Sequence, residues 1–330
     1  MKISTFTPLF RLATFFVILS IGHTHDWNAA AQEFPNKPIK IIVGQGAGGG
    51  IDTLTRIVAQ KLSEHMGQPV VIENKVGAGG IIGTEFVAKA PADGYTLLMA
   101  PSGNMVFTPI LMPKLRYNPI KDFTPVSLVA TFPLVLLVNS KLPIYNVSDL
   151  INYMKANPSK SNYGGSGPAF QFSSELFKLK TNTPAEFIQY KSTSESITAL
   201  MAGDLLFCMA DTGPAIPAIT SSQVRALAVT SPNRISSLPN VPTMSEVGLS
   251  QVEFKLWSGL FAPIGTPAAV IKKLETEVAR VTKMPEVIAL LNNNNVQATS
   301  STSEELGHLL SQDLQRWGQV QETAKISIQP

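Results

Sequence analysis

The chain has 330 residues, of which 44% are hydrophobic and 15% are charged, and its formal net charge is +3. This composition is typical of a globular protein and excludes disordered and fibrous classes. The basic residues are scattered without a Lys/Arg block, which argues against a nucleic-acid-binding stripe and against a polybasic membrane patch. The length allows two modest domains.

The N-terminal segment has the pattern of an export signal. Basic residues precede an apolar run over residues 12–22, which is too short to span a bilayer as a helix, and residues 29–31 are three alanines. We therefore predict a cleavable signal peptide over residues 1–31, cleaved near Ala31; an uncleaved anchor is the alternative.

Cysteine content suggests the compartment. Cys208 is the only cysteine, so an intramolecular disulfide is impossible. An exported, disulfide-free protein of this size fits a bacterial periplasm. Cys208 itself lies in the apolar run "LLFCMA" and is predicted to be a buried core thiol.

The first part of the mature chain alternates apolar β-like runs with helical patterns. This βαβαβ order predicts a parallel sheet covered by helices on both faces. The predicted strands are residues 39–43, 69–74 and 95–100, and the helices between them are residues 52–62 and 83–91.

A second α/β unit follows a long β-like run at residues 127–140, which Pro133 interrupts. A proline in this position predicts two strand segments that meet at a crossover between domains. The later predicted strands are residues 186–191, 206–211, 224–231 and 252–263, and the helices are residues 148–157, 172–180, 195–203, 266–283 and 302–320. Thr266 is the predicted N-cap of the helix at 266–283, and Thr302 with Glu305 forms a predicted capping box.

Catalytic and metal-binding patterns are not found in the sequence. After signal cleavage only His65 and His308 remain as histidines, each within a predicted helix. No cluster has metal-ligand spacing, no G-x-S-x-G elbow occurs, and no Gly-Lys-Ser/Thr follows the glycine loops. We therefore predict no catalytic residue, no metal and no cofactor.

Glycine loops are the main functional signal. Residues 46–52 and 77–83 each connect a predicted strand to a helix, residues 164–167 form a predicted glycine-rich turn before a later helix, and Ser102 follows the third strand. Such loops turn backbone N–H groups outward at helix N-termini, at the sheet edge where α/β proteins bind ligands. The pattern predicts an anion site.

The first loop also matches a dinucleotide fingerprint, G-x-G-x-x-G, at Gly44, Gly46 and Gly49. An NAD site is the alternative that this motif raises. Export from the cytoplasm and the negative charge of Asp52 beside the loop argue against a bound pyrophosphate.

Several long motifs carry a resemblance to a known family. They include "ENKVGAGGIIGTEFVAKAPADGYTLLMA", "YGGSGPAFQFSSELF" and "VRALAVTSPNRISSLPNVPTMSEVGL". With these motifs the sequence resembles the substrate-binding receptors of tripartite tricarboxylate transporters, the Bug or TctC-like proteins. The resemblance implies a two-domain periplasmic-binding-protein fold, Venus-flytrap and type II-like, with two crossover hinge strands. Its domains would be residues 32–132 plus 254–330, and residues 133–253.

The resemblance also implies a ligand site between the two domains. Gln171 stands where the family often has His, and Gly44 and Ala47 stand where it usually has prolines. Phe170 is included on the hypothesis that the ligand is apolar or aromatic beyond its carboxylate. The implied ligand contacts are Gly48, Gly49, Gly50, Asp52 and Ser102 in the first domain, and Ser166, Gly167, Phe170, Gln171 and Asp211 in the second.

The leading interpretation is a monomeric periplasmic receptor that closes on a small carboxylate. The ligand would be a di- or tricarboxylate, an acidic amino acid or an aromatic carboxylate, and the partner would be the integral-membrane permease of a tripartite tricarboxylate transporter. One alternative is an exported α/β hydrolase or oxidoreductase that uses the glycine loops. Another is a ligand sensor for a signalling partner.

Overall fold

The computed structural model describes residues 1–2 and 34–327. The predicted signal peptide falls almost wholly on residues outside this range. Residues 34–327 group into one compact unit. Two β-sheets organise this unit, one of six strands and one of five.

The strands alternate with helices along most of residues 34–327, as the sequence predicts. A π-helical turn at Gly103–Phe107 follows the third strand. The strands are β1 (Ile39–Val43), β2 (Val70–Asn74), β3 (Thr96–Pro101), β4 (Phe123–Phe132), β5 (Leu134–Asn139), β6 (Asn162–Gly165), β7 (Glu186–Gln189), β8 (Phe207–Asp211), β9 (Val224–Val229), β10 (Leu256–Pro263) and β11 (Gln297–Ala298). The α-helices are α1 (Gly50–Met66), α2 (Ile81–Ala88), α3 (Thr108–Leu111), α4 (Val147–Ala156), α5 (Pro168–Thr181), α6 (Thr193–Ala202), α7 (Thr212–Thr220), α8 (Ala268–Val281), α9 (Pro285–Asn293) and α10 (Ser303–Ala324).

The first sheet has the order β11-β4-β10-β3-β1-β2. Strand β1 is parallel to β2 and to β3, which confirms the predicted parallel βαβαβ unit. Strand β10 returns late in the chain and pairs antiparallel with β3 and β4. Parallel strands end at one edge of the sheet, so β1 and β3 deliver the first glycine loop and Ser102 to the same edge.

The second sheet has the order β7-β6-β8-β5-β9. Strand β6 is parallel to β7 and β8, whereas β5 is antiparallel to β8 and β9. The chain passes from the first sheet to the second at Pro133, between β4 and β5, which confirms the predicted crossover. It returns along β10, whose first residues Leu256 and Trp257 pair with Phe132 and Thr131 of β4.

Several local expectations need correction. The predicted turn at Gly164 and Gly165 is strand β6. Helices α3, α7 and α9 and strand β11 were not predicted. Helix α8 begins at Ala268, so that Pro267 occupies the N-cap position in place of Thr266. The Thr266 hydroxyl donates instead to the Pro263 carbonyl at 2.8 Å.

The apolar core follows the predicted helix faces. Leu54, Val58 and Leu62 of α1 pack with α8 beside the first sheet. The capping box of α10 is present, with Thr302 accepting from the Glu305 N–H and the Glu305 side chain accepting from the Thr302 N–H. The apolar side of α10 joins a core cluster that contains buried residues of both sheets.

Candidate functional site

A cavity of about 390 Å³ lies where the two sheets meet, at the crossover strands. Its size is in the range of small-molecule sites, about 300–1,000 Å³. The lining residues are 50–51, 101–103, 132–133, 169, 211–214, 256–257 and 294–296. A larger groove of about 610 Å³ lies between α5 and α10, and it is lined by none of the glycine loops or strand ends. We therefore take the smaller cavity as the candidate site.

Three helix N-termini converge on this cavity. It is lined by Gly50 of α1, Ala169 of α5 and Thr212 of α7, and no side chain caps any of these three helices. The first N–H groups of a helix have no intrahelical acceptor, and they carry partial positive charge. Helices α4, α6 and α10 start with a side-chain cap from Asn146, Ser192 and Thr302, respectively, whereas α2, α3, α8 and α9 also lack one. The cavity thus offers backbone donors suited to an anion.

The first glycine loop is hydrogen-bonded to Asp52, whose side chain is only 1% exposed. The Gly48 N–H donates to the Asp52 carboxylate at 2.8 Å, and Gly48 takes a φ of +79°, which favours glycine. Arg56 donates to both carboxylate oxygens at 2.8 and 3.0 Å, and the Asn74 amide donates at 2.9 Å. The Arg56 hydrogen bond, with the others, lowers the pKa of Asp52 to about 2. In this structure Asp52 therefore fixes the position of the first glycine loop. Its direct contact with a ligand stays a prediction.

Gly49 and Gly50, the other two residues predicted in this loop, are exposed. Gly49 occupies the N-cap position of α1, and Gly50 is the first residue of the helix. Their backbone is thereby presented at the cavity, where Gly50 forms part of the lining.

The second glycine loop is linked to the first by side-chain amides. The Gln45 amide donates to the Asn104 side-chain carbonyl at 2.9 Å, and the Asn104 amide donates to the Gly79 carbonyl at 2.8 Å. A Cβ at Gly44 would lie 2.8 Å from the Gly80 backbone. The glycines of the second loop therefore serve close packing between loops, and none of them lines the cavity described here.

Ser102 is buried and lines the cavity, as predicted. Its hydroxyl accepts from the Trp257 N–H at 3.4 Å. Trp257, which sequence reasoning missed, also lines the cavity, and its indole N–H donates to Asp313 at 2.7 Å. This bond fixes the indole at the return crossover.

Asp211 and Ser166 are joined on the side of the second sheet. The Ser166 and Thr193 hydroxyls lie 3.2 Å apart, and the Thr193 hydroxyl donates to Asp211 at 3.2 Å. Asp211 lines the cavity, and burial raises the pKa of its carboxyl. The structure thus brings these two predicted residues into one hydrogen-bonded chain.

The remaining predicted residues lie at the start of α5. Gly167 is the N-cap residue with a φ of +148°, and Gln171 is half-buried in the first turn. Ala169, rather than Phe170, contributes to the cavity lining, while Phe170 packs against the core and Phe172 is fully buried. The hypothesis of a ligand contact by Phe170 stays a prediction.

Residues 294–296 form a wall that the sequence analysis missed. They follow α9, a helix that was itself not predicted, in an asparagine-rich stretch without apolar periodicity. The Thr212 hydroxyl reaches the Asn295 carbonyl at 3.5 Å, which joins α7 to this wall.

Apart from Asp211, the lining has no ionisable side chain, and part of it is apolar. Ile51, Phe132, Leu256, Trp257 and Val296 supply apolar surface, and the described lining contains no Lys, Arg or His. Within residues 34–327 no group of His, Cys, Asp or Glu has the geometry to hold a metal ion. Cys208 is fully buried, and burial raises the pKa of its thiol to about 12, which confirms the predicted core thiol.

The described helices do not have the properties of membrane spans. None in residues 34–327 combines the length and the apolar character that crossing a bilayer requires.

Comparison with known proteins identifies the family. A family model described as "Tripartite tricarboxylate transporter family receptor" matches residues 54–326. The periplasmic binding protein BugD is 30% identical, with 90% of this chain and 100% of that chain covered and a TM-score of 0.72.

Two further solved structures carry ligands. Rpa4515 from R. palustris, solved with adipate, is 31% identical, with 89% of this chain and 99% of that chain covered and a TM-score of 0.76. MatC from Rhodopseudomonas palustris, solved with bound malate, is 29% identical, with 87% and 99% covered and a TM-score of 0.71. The family model describes a transporter receptor and BugD is a periplasmic binding protein, so the enzyme alternative is set aside. The chain belongs to the tripartite tricarboxylate transporter receptor family, the TctC or Bug proteins, and has their periplasmic-binding-protein fold.

Proposed function

We propose that this chain is a periplasmic receptor that captures a small carboxylate in the cavity between its sheets and delivers it to a tripartite tricarboxylate-type permease. The observation that carries the proposal is the convergence of three uncapped helix N-termini on that cavity. The proposal includes export by the signal peptide at residues 1–31 and a monomeric receptor. Its two domains are residues 32–132 plus 254–330, and residues 133–253.

A carboxylate fits this cavity on electrostatic grounds. The lining has no cationic side chain, so the ligand's charge would be balanced by backbone N–H groups and by helix dipoles. Each helix N-terminus contributes about 0.3–1 kcal/mol toward a nearby negative charge. Closure would exclude water and strengthen these bonds.

The apolar part of the lining favours a ligand with a hydrocarbon body. Phe132, Leu256 and Val296 contribute apolar surface, and Asp211 is the one ionisable side chain among the lining residues. The related structures contain adipate and malate, which are aliphatic dicarboxylates. We infer that a dicarboxylate is the ligand class, with Gly48, Gly49, Gly50 and Ser102 holding one end and Ser166, Gly167, Gln171 and Asp211 facing the other.

Thermal unfolding of residues 32–330 tests the proposal. The panel is adipate, malate, citrate, glutamate, benzoate and NAD. A ligand present at about 100 times its dissociation constant stabilises the folded state by roughly 2.7 kcal/mol and raises the melting temperature measurably. A shift with one carboxylate class supports the receptor, whereas a shift with NAD alone or with no carboxylate contradicts it.

Gly49→Asp tests the anchor at the first loop. The new carboxylate would stand at the N-cap of α1 and repel a bound anion, so we expect affinity for the best carboxylate of the panel to fall more than tenfold. Gly318→Asp is the matched control, because it adds the same charge on α10, where a Cβ meets no atom within 4 Å. Isothermal titration measures both; equal affinities in the two variants would refute the anchor.

A further inference from the structure

We propose that Asp211 binds the ligand's carboxylate through one shared proton, so that ligand capture takes up a proton and Asp211 determines which ligands bind. This inference rests on the proposed function and names a partner group within the same site. It starts from an apparent conflict, since the cavity that collects an anion also contains a carboxylate.

The position of Asp211 leaves its carboxylate available to a ligand. It is the last residue of β8 and the N-cap residue of α7, yet its side chain does not cap that helix. Within the described part of the chain, its carboxylate is hydrogen-bonded only to the Thr193 hydroxyl. One carboxylate oxygen of Asp211 therefore accepts from Thr193 of α6, while the residue lines the cavity.

The surroundings of Asp211 supply no cation. On α6, Glu195 is exposed and its carboxylate accepts from the Lys191 N–H, and Lys191 is itself exposed. The segments at 235–237 and 292–297, which pack beside Thr212, have no ionisable side chain.

The other neighbouring elements keep their charges paired. On α1, Asp52 is bonded to Arg56, and on α5 Glu175 is bonded to Lys178 at 2.7 Å. The parts of β4, β5 and β10 that border the cavity are apolar. Asp211 thus has no opposite charge that would hold it ionised.

A shared proton resolves the conflict between two carboxylates. Two unit negative charges a few ångströms apart in a poorly solvated cavity repel strongly, and one proton between them converts the repulsion into an O–H···O⁻ hydrogen bond. Such bonds are short and about twice as strong as neutral ones. The proton comes from solvent, and it is returned when the ligand leaves. Burial already favours the protonated form of Asp211, which makes the uptake easier.

The proposal predicts a rule for selectivity. A ligand that presents a carboxylate to Asp211 binds with proton uptake and loses affinity as pH rises. A ligand that presents a hydroxyl or ammonium donates directly to the ionised Asp211 and binds without that dependence. Discrimination at this position therefore reverses with pH.

Isothermal titration of the mature protein with adipate, malate, citrate and benzoate tests this, at about pH 6.5 and 8.5, where free carboxylates of ordinary pKa are ionised. Repeating each titration in buffers of different ionisation enthalpy counts the protons taken up. For the tightest carboxylate we expect an uptake approaching one proton and an affinity at least tenfold lower at the higher pH.

Asp211→Asn separates this residue from other sources of pH dependence. The amide donates without a proton from solvent, so the variant should lose the pH dependence and bind at pH 8.5 at least as tightly as the wild type. Asp204→Asn, an exposed acid in the same part of the chain, should keep the wild-type behaviour.

The outcomes are distinguishable. Carboxylate binding without proton uptake by the wild type, or an Asp211→Asn variant that keeps the slope, overturns the shared proton and leaves the receptor intact. Failure of all four carboxylates to bind at either pH overturns both proposals. The wild-type proton count stands even where the variant does not fold.

Discussion

Two aspartates near the cavity have opposite electrostatic environments. Asp52 is bonded to Arg56, Asn74 and the Gly48 N–H, and its pKa falls to about 2. Asp211 is half-buried with one hydrogen-bond partner, the Thr193 hydroxyl, and desolvation raises its pKa. The first acid therefore fixes a loop as a permanent anion, whereas the second is free to exchange a proton with what enters the cavity.

Asp52→Asn tests the role of the first acid in stability. The folded pKa of about 2 lies below the ordinary value of 3.8, so the ionised carboxylate contributes stability above about pH 4 that is lost as pH falls from 3.8 to 2. We expect the variant to lose up to about 2 kcal/mol at pH 7 and almost nothing near pH 2, measured by urea unfolding.

Asp93→Asn is the matched control for this measurement. Asp93 pairs with Lys37 at 3.2 Å on an exposed surface, so its loss should cost less than about 1 kcal/mol. An Asp52 variant as stable as the Asp93 variant at pH 7 would contradict the assigned role.

At the scale of elements, helix starts divide into two kinds. Helices with a side-chain cap, such as α10 at Thr302, complete their own first turn. The three that line the cavity begin at Gly49, Gly167 and Asp211 without a side-chain cap, which leaves their first N–H groups open to a ligand. Helices α2, α3, α8 and α9 also lack such a cap, so the three are set apart by their position at the cavity, which the sequence does not display.

The sequence predicted those elements whose signals are local. Pro133 marks the crossover between β4 and β5, and Thr302 with Glu305 marks the start of α10, because proline chemistry and capping act within a few residues. The parallel arrangement of β1, β2 and β3 followed from their alternation with helices.

The missed elements depend on distant contacts. Gly164 and Gly165 have weak β propensity, yet they form β6 because they pair with Ile188 and Gln189 of β7. Glycine is needed there because a Cβ at Gly164 would lie 2.4 Å from Leu205 and a Cβ at Gly165 would lie 2.8 Å from Phe170. Helix α7 contains Pro217, which disfavours a helical prediction. The wall at residues 294–296 reaches the cavity only through tertiary packing, so no local pattern reveals it.

At the scale of the whole molecule, an aromatic cluster couples the two sheets behind the cavity. Trp317 of α10 lies 5.2 Å from Phe107 beside the first sheet and 6.0 Å from Phe172 of α5, measured between ring centroids. Phe107 and Phe172 are 5.1 Å apart, and Phe254 lies 5.2 Å from Trp317. All of them belong to one continuous cluster that contains residues of both sheets, while the first sheet with α1 and α8 and the second sheet with α6 and α7 each have a further cluster. The shared cluster couples the two sheets.

We therefore expect residues 32–330 to unfold in a single cooperative transition, with calorimetric and van't Hoff enthalpies in agreement. Trp317→Ala should lower stability by about 3–5 kcal/mol, because Trp317 is only 2% exposed and its removal opens a cavity in the shared core. Phe86→Ala, at a 42% exposed side chain, is the control and should cost much less.

Differential scanning calorimetry decides between one unfolding unit and two. Two resolved transitions in the wild type would mean that the sheets fold separately. With one transition, a ligand bound at the cavity between the sheets would stabilise both of them together.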